Sequence, residues 1–340
     1  TTIWSLERGS EGAVTVVTRT AELTPDAGSI GSVVSFAEDG VGELYLIDYD
    51  GEIFRIGTAD SLTGNLSTRA RLGAVSNVAI AGFVLEGEGR ADLLIRGVGP
   101  GLADFQVIDP LVDPRFAVFE NPGTGGSVRL LENEDWDDSG AAPAVREAEA
   151  VTGAFALEDG STDAAAVLSL PAGSYTEVLR AGAAEEGIGL VEVYRMGPSA
   201  GQAMAPILRN ISTRAAVEAG GGRLIAGFVL EGTGSRQFLI RGIGPGLEDF
   251  GVTGVITDPV LEVLPLGSGT VLAGNDDWDS GPGTAGMIEA AESVGAFPLM
   301  PGSGDASLLL RLAPGSYTAR IRSADGQPGV GLVEIYLLSD

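Results

Sequence analysis

The sequence predicts an all-β protein: an N-terminal four-stranded, propeller-blade-like sheet followed by two tandem jelly-roll-like antiparallel β-sandwiches, each with one short helix. Three observations predict it. The chain repeats itself over most of its length, each copy reads as short apolar runs separated by glycine-rich turns, and only one stretch per copy has helical spacing. Fifty-two glycines in 340 residues, with 44% hydrophobic residues, describe an ordered and turn-rich chain.

The repeat is explicit. NLSTR at 65–69 returns as NISTR at 210–214, IAGFVLEG at 80–87 returns unchanged at 225–232, and RGVGPGL at 96–102 returns as RGIGPGL at 241–247, each 145 residues on. Further along, DWD at 135–137 matches 277–279, GSYT at 173–176 matches 315–318, and GIGLVEVY at 187–194 matches GVGLVEIY at 329–336, each 142 residues on. Three residues are therefore lost between Pro259 and Asn275, where NPGTGG at 121–126 is answered by LGSG at 266–269, as expected of a loop. So long a period is not that of a solenoid and predicts tandem domains at 62–196 and 207–340. The small residues and proline of 197–206 predict a linker between them that permits limited hinge motion.

Within the first copy, the apolar runs 80–86 and 92–97 flank Gly87-Glu88-Gly89, a hairpin signal. Residues 116–120 pair with 128–132 across the turn at 121–126. Residues 164–170, 175–181 and 188–194 make three further strands. Helical spacing is confined to 143–151 and its counterpart 285–294. About eight strands in about 130 residues is the density of an antiparallel sandwich. Residues 1–57 are a different unit, with strand-like segments at 3–8, 13–21, 30–38 and 43–56, the last folding back at Asp50-Gly51.

Twenty basic and 47 acidic side chains give a net charge of −27, with no histidine and no cysteine. Every basic residue is arginine. Histidine general bases, thiolate nucleophiles and metal sites, lysine Schiff bases and disulfides are thereby excluded. A surface this acidic repels nucleic acid and attracts cations. No apolar run approaches the roughly 20 residues of a membrane span. The start at Thr1, without an initiator methionine or signal pattern, is that of a processed chain or a fragment.

Two resemblances extend this reading. IGSVVSFAED at 30–39 and GELYLIDYDG at 42–51 resemble the closing blade of the soluble glucose/sorbosone dehydrogenase type of bacterial β-propeller. The likeness covers only those residues, and that family's catalytic base and quinone contacts lie mainly in other blades, so it implies no activity here. The two copies resemble a repeat module found near the C-termini of large secreted bacterial proteins, through NISTR at 210–214, IRGIGPGL at 240–247, NDDW at 275–278 and GVGLVEIY at 329–336. The first copy departs at Leu66 and Glu134. The module implies an extracellular β-sandwich and carries no reaction of its own. The acidic loop and the PGSY turn at 314–317 are also similar to the accessory sandwich domain that follows secreted bacterial peptidases.

The acidic loops are the candidate metal sites. Asn133, Asp135 and Asp137 in one copy, and Asn275, Asp277 and Asp279 in the other, gather oxygen atoms of the kind that a hard cation such as Ca2+ prefers, with Asp163 and Asp305 as remote contributors. EF-hand spacing is absent. The competing reading is a solvated loop that caps the following helix and is anchored by its tryptophan. The glycine-rich runs after Arg96 and Arg241 superficially resemble phosphate loops, but the spacing is wrong and a proline interrupts them. A tight turn with the arginine paired to a carboxylate accounts for them better. Tyr175, Tyr194, Tyr317 and Tyr336 alternate with apolar residues as packing positions do, whereas Trp4 lies where an exposed aromatic can serve a contact.

These features predict a non-catalytic structural protein located outside the cell or on its surface. Its expected partners are copies of itself, in a non-covalent head-to-tail filament joined by strand-edge pairing. The alternative is a C-terminal appendage of a secreted sugar dehydrogenase-like enzyme that binds a cell-surface glycan.

Overall fold

The chain is all-β in a computed structural model, with nineteen strands, two α-helices and short 3-10 turns among the described residues. The structure describes residues 2–8, 14–20, 23, 30–38, 44–56, 62–73, 76–123, 126–137, 140–182, 185–198, 205–232, 234–281 and 283–338. Most of the anticipated linker at 197–206 lies outside them. The chain divides into two compact units, Thr1–Asp60 and Ser61–Asp340.

In the N-terminal unit, β1 (Trp4–Arg8) pairs antiparallel with β2 (Val14–Thr18). A separate three-stranded sheet runs β3 (Val33–Glu38), β4 (Leu44–Asp48), β5 (Ile53–Ile56). The expected single four-stranded sheet is thus divided into two small sheets. The expected turn at Asp50-Gly51 does form, with Gly51 at φ +93°, a conformation that favours glycine. Buried Asp48 ties the sheet to the preceding segment by accepting the amides of Gly31 at 2.6 Å and Ser32 at 3.1 Å.

The C-terminal unit holds both copies. The first contributes β6 (Leu62–Leu72), β7 (Val78–Val98), β8 (Arg115–Glu120), β9 (Val128–Asn133), helix α1 (Ala142–Thr152), β10 (Ala164–Arg180) and β11 (Gly187–Pro198). The second contributes β12 (Ile207–Val217), β13 (Leu224–Glu231), β14 (Arg236–Ile243), β15 (Pro259–Pro265), β16 (Ala273–Asn275), helix α2 (Thr284–Ser293), β17 (Ala306–Leu312), β18 (Gly315–Ser323) and β19 (Gly329–Leu337). Both helices fall where the spacing predicts them. The expected pairing of 116–120 with 128–132 is the β8–β9 ladder.

The hairpin expected at Gly87-Glu88-Gly89 does not form. The chain runs through it as one 21-residue strand, β7, and β10 lies antiparallel along its whole length with a bulge between Pro171 and Gly173. The two runs cannot pair with each other because each already has neighbours on both sides. Residues 78–86 lie between β10 and β12, and residues 91–98 lie between β10 and β11. Gly87 and Gly89, at φ +126° and +78°, let the strand pass from one ladder to the next. In the second copy the same path is broken into β13 and β14, which likewise pair with other strands.

The copies are joined reciprocally. Strand β12 of the second copy pairs with β7 of the first, and β6 of the first pairs with β13 of the second. Each continuous row of strands therefore contains members of both copies, in the orders β9-β8-β10-β7-β12-β19-β14-β17 and β16-β15-β18-β13-β6-β11-β7-β10. The equivalent residues Thr68 and Thr213, both fully buried, hydrogen-bond to each other, as at the axis of an isologous dimer. One apolar core runs through both copies, including Leu66, Phe83 and Phe116 with Ile211, Phe228 and Leu261. The two copies form one body where the sequence suggested two bodies on a hinge.

Candidate functional site

The RGxGPG turns and the acidic loops, which lie far apart in sequence, form one structure in each copy. Beyond the turn, Pro100–Phe105 and Pro245–Phe250 each make a short 3-10 helix, leaving backbone amides directed inward. Buried Asp163 satisfies them: one carboxylate oxygen accepts Gly99 N–H at 2.8 Å, the other accepts Gly101 N–H at 3.1 Å and the Ser161 hydroxyl at 2.9 Å. Asp305 repeats this on Gly244, Gly246 and Ser303 at 2.8, 3.2 and 2.8 Å. The anion in the glycine-rich turn is thus the protein's own carboxylate. A Cβ at Gly99 or Gly244 would lie 2.4 or 2.1 Å from a backbone carbonyl oxygen, so both positions need glycine for closeness alone.

The other candidate metal ligands also make hydrogen bonds within the loop. Asn133 and Asn275 accept the amides of Ala165 and Ser307 at 2.9 Å each, while Asp137 and Asp279 accept those of Gly160 and Gly302 at 2.9 and 2.7 Å. The backbone carbonyls of Asp135 and Asp277 accept the side-chain amides of Asn133 and Asn275. Trp136 and Trp278 are buried and donate their indole N–H to the carbonyls of Glu158 and Met300, both at 3.2 Å. Among the described residues, no three acidic side chains are grouped as a metal site. Around the second loop, the Asp258 carboxyl is held above its usual range by burial and then by the negative charges of Asp277 and Asp276. In the first copy, Arg115 stands between the equivalent acids, contacting Asp113 at 3.1 Å and Glu134 at 2.8 Å.

Arg96 and Arg241 are paired to carboxylates, as the sequence suggests. Fully buried Arg96 gives two N–H bonds to one oxygen of Glu192, at 2.9 and 2.5 Å, and one to the Phe155 carbonyl at 2.5 Å, with its guanidinium 4.2 Å from the Phe155 ring centroid. Arg241 matches it on Glu334 at 2.8 and 2.5 Å and on the Phe297 carbonyl at 2.5 Å. Tyr194 and Tyr336 donate to the free oxygens of the same glutamates at 2.6 and 3.0 Å. Burial and the adjacent glutamate push both phenols well above their usual pKa. The first copy adds Glu149, which faces Arg96 at 3.4 Å and Arg146 at 3.0 Å, and Arg146 also reaches Asp159 at 2.6 Å. These networks tie the RGxGPG turns and the helix-flanking segments to the strands that carry Glu192 and Glu334.

The N-terminal unit has the opposite character. Trp4, Val16, Val34, Phe36, Leu44, Tyr49 and Ile53 are exposed, and among the described apolar residues of this unit only Ile3 and Leu46 are buried. The outer strands of its two sheets, β1, β2, β3 and β5, each have a free edge among the described residues. Protein-family models and curated proteins give no match to this chain.

Proposed function

We propose that the chain is a non-catalytic structural subunit, functioning outside the cell, that associates with copies of itself through its N-terminal sheet edges. Its two repeats are jelly-roll-like sandwiches whose facing sheets are the two rows of strands. The observation that carries this reading is the contrast in burial: the C-terminal unit has a continuous core, while the N-terminal unit exposes seven large apolar side chains, five of them on strands with unpaired edges. The reciprocal β7–β12 and β6–β13 ladders support it, because they join two copies of the module by edge pairing within a single chain. Without cysteine or lysine, contact between subunits rests on burial and hydrogen bonds.

The test is light scattering and electron microscopy of the full chain across a concentration series, beside Trp4→Glu and Phe36→Glu. Regular polymers that form above a threshold concentration, and are lost in both variants, are expected. A monodisperse monomer at high concentration with residues 1–60 intact overturns the reading.

A further inference from the structure

One cleft of the C-terminal unit stands outside these networks. It has a volume of about 470 Å3 and lies where β6 of the first copy meets the β12–β13 turn of the second. Arg69, Arg71 and Arg223 line it together with Phe105, Gln106 and Ile108. Three of the twenty cationic side chains thus converge in a chain of net charge −27. Arg71 is neutralised by Asp109 at 3.5 Å and Glu218 at 3.3 Å. Arg69 and Arg223 are exposed and have no carboxylate partner among the described residues.

The cleft belongs to one side of the pseudo-dimer. The counterparts of Arg71 and Arg223 are Ala216 and Val78, so only Arg69 has a match, in Arg214. The rim is built differently too. Among the described residues, Gln106 and Asp109 are the only non-glycine residues with positive φ, at +60° and +55°. Their counterparts are Gly251 and Gly254, at +75° and +67°. The first copy therefore holds side chains in a conformation that disfavours them, at the rim of this cleft. Phe105 is 55% exposed yet fixed edge-on against Phe155 at 4.7 Å, and Ile108 is 78% exposed.

We propose that this cleft binds an acidic saccharide of two to three rings carrying carboxylates, an oligouronate. Planar guanidiniums suit carboxylates, and the fixed Phe105 ring offers an apolar face to a sugar's C–H surface beside the Gln106 amide. The volume is far larger than an inorganic anion needs and falls within the usual range of ligand clefts. The site does not depend on self-association.

The test is calorimetric titration of the full chain with trigalacturonate, and with a neutral galactotriose as control. Binding of the acidic trimer alone is expected, weakening as salt rises from about 50 mM to about 500 mM. Arg69→Ala and Arg223→Ala should each weaken it by about tenfold, the scale of one charge-assisted contact. Arg214→Ala, at the equivalent position outside the cleft, should leave it unchanged. No binding, equal binding of the neutral sugar, or indifference to Arg69→Ala and Arg223→Ala overturns the proposal. Failure to bind the trimer combined with loss of self-association in those two variants would identify the occupant as an acidic segment of a second copy, which also overturns it.

Discussion

The two copies share a framework and differ in what has been added to it. Asp163 and Asp305 bind their glycine turns through the same atoms, with distances agreeing within 0.1 Å, and Arg96 and Arg241 take the same glutamate and carbonyl partners. The additions fall on the first copy and are mostly charged. Glu149 and Arg146 stand where the second copy has Ala291 and Ile288, and Glu177 stands where it has Ala319. Glu149 and Arg146 arrive together as an ion pair. The shared parts are what the module needs in order to fold; the differences show where one copy has been specialised.

The largest test of that division is removal of the buried arginines. Arg241→Met leaves Glu334 buried without a cation and should cost about 3–5 kcal/mol. Arg96→Met leaves Glu192 buried without a cation, removes one of the two arginines that face Glu149, and should cost about 1 kcal/mol more. Urea midpoints at neutral pH measure the difference. Adding Glu149→Ala to Arg96→Met, which installs the residue of the second copy, should bring the two costs together. Equal costs for the two single variants would mean that Glu149 is no part of the Arg96 network.

Glu177 is the addition without a compensating partner. It is fully buried between Ala81 and Val118 of the neighbouring strands, and neither carboxyl oxygen has a hydrogen-bond partner. Burial, and then the charge of Glu192, raise its pKa well above the usual carboxylate range. Folding therefore favours the protonated form, so its contribution to stability is fully present below the unfolded pKa of about 4.5 and is lost as pH rises toward the folded pKa. Glu177→Met should stabilise the chain by about 1–3 kcal/mol at pH 7 and by less at pH 4. Ala319→Glu should destabilise the second copy with the same pH dependence. Paired urea series at the two pH values check the sign, and a gain that is larger at pH 4 would show that Glu177 is ionised in the fold.

Much of the local structure was legible in the sequence. The repeat fixed which residues correspond, the turn and helix positions followed, and the pairing of Arg96 with a carboxylate was readable because a strand arginine beside apolar residues needs a counter-charge. The pairing between copies was not legible. An alternating run such as 80–86 satisfies its ladder with whichever edge is adjacent, and local spacing does not say whether that edge belongs to residue 92 or to residue 207. This is why Gly87-Glu88-Gly89 read as a hairpin. Carboxylates near an acidic loop suggest a metal, so Asp163 and Asp305 read as cation ligands in the sequence, whereas in the fold each accepts the amides of a glycine turn. The arginine cleft went unseen because Arg69, Arg71 and Arg223 meet only when β6 pairs with β13. Its trace lay in the departures between copies: Arg71 against Ala216, and Gln106 against Gly251.

The last departure gives the smallest test. Gln106, at φ +60°, follows a 3-10 turn whose counterpart ends in Gly251 at φ +75°. A side chain in this left-handed region costs roughly 1 kcal/mol relative to glycine, partly offset because glycine is freer in the unfolded chain. Gln106→Gly should therefore raise stability by about 0.5 kcal/mol, whereas Gly251→Gln should lower it by a similar amount, both read from urea midpoints in the same buffer. The pair also isolates what the glutamine does. If Gln106→Gly stabilises the chain and weakens trigalacturonate binding, the strained residue is retained for the cleft. If it stabilises the chain and leaves binding unchanged, the contrast between the copies at this turn is conformational only, and the arginines alone account for the site.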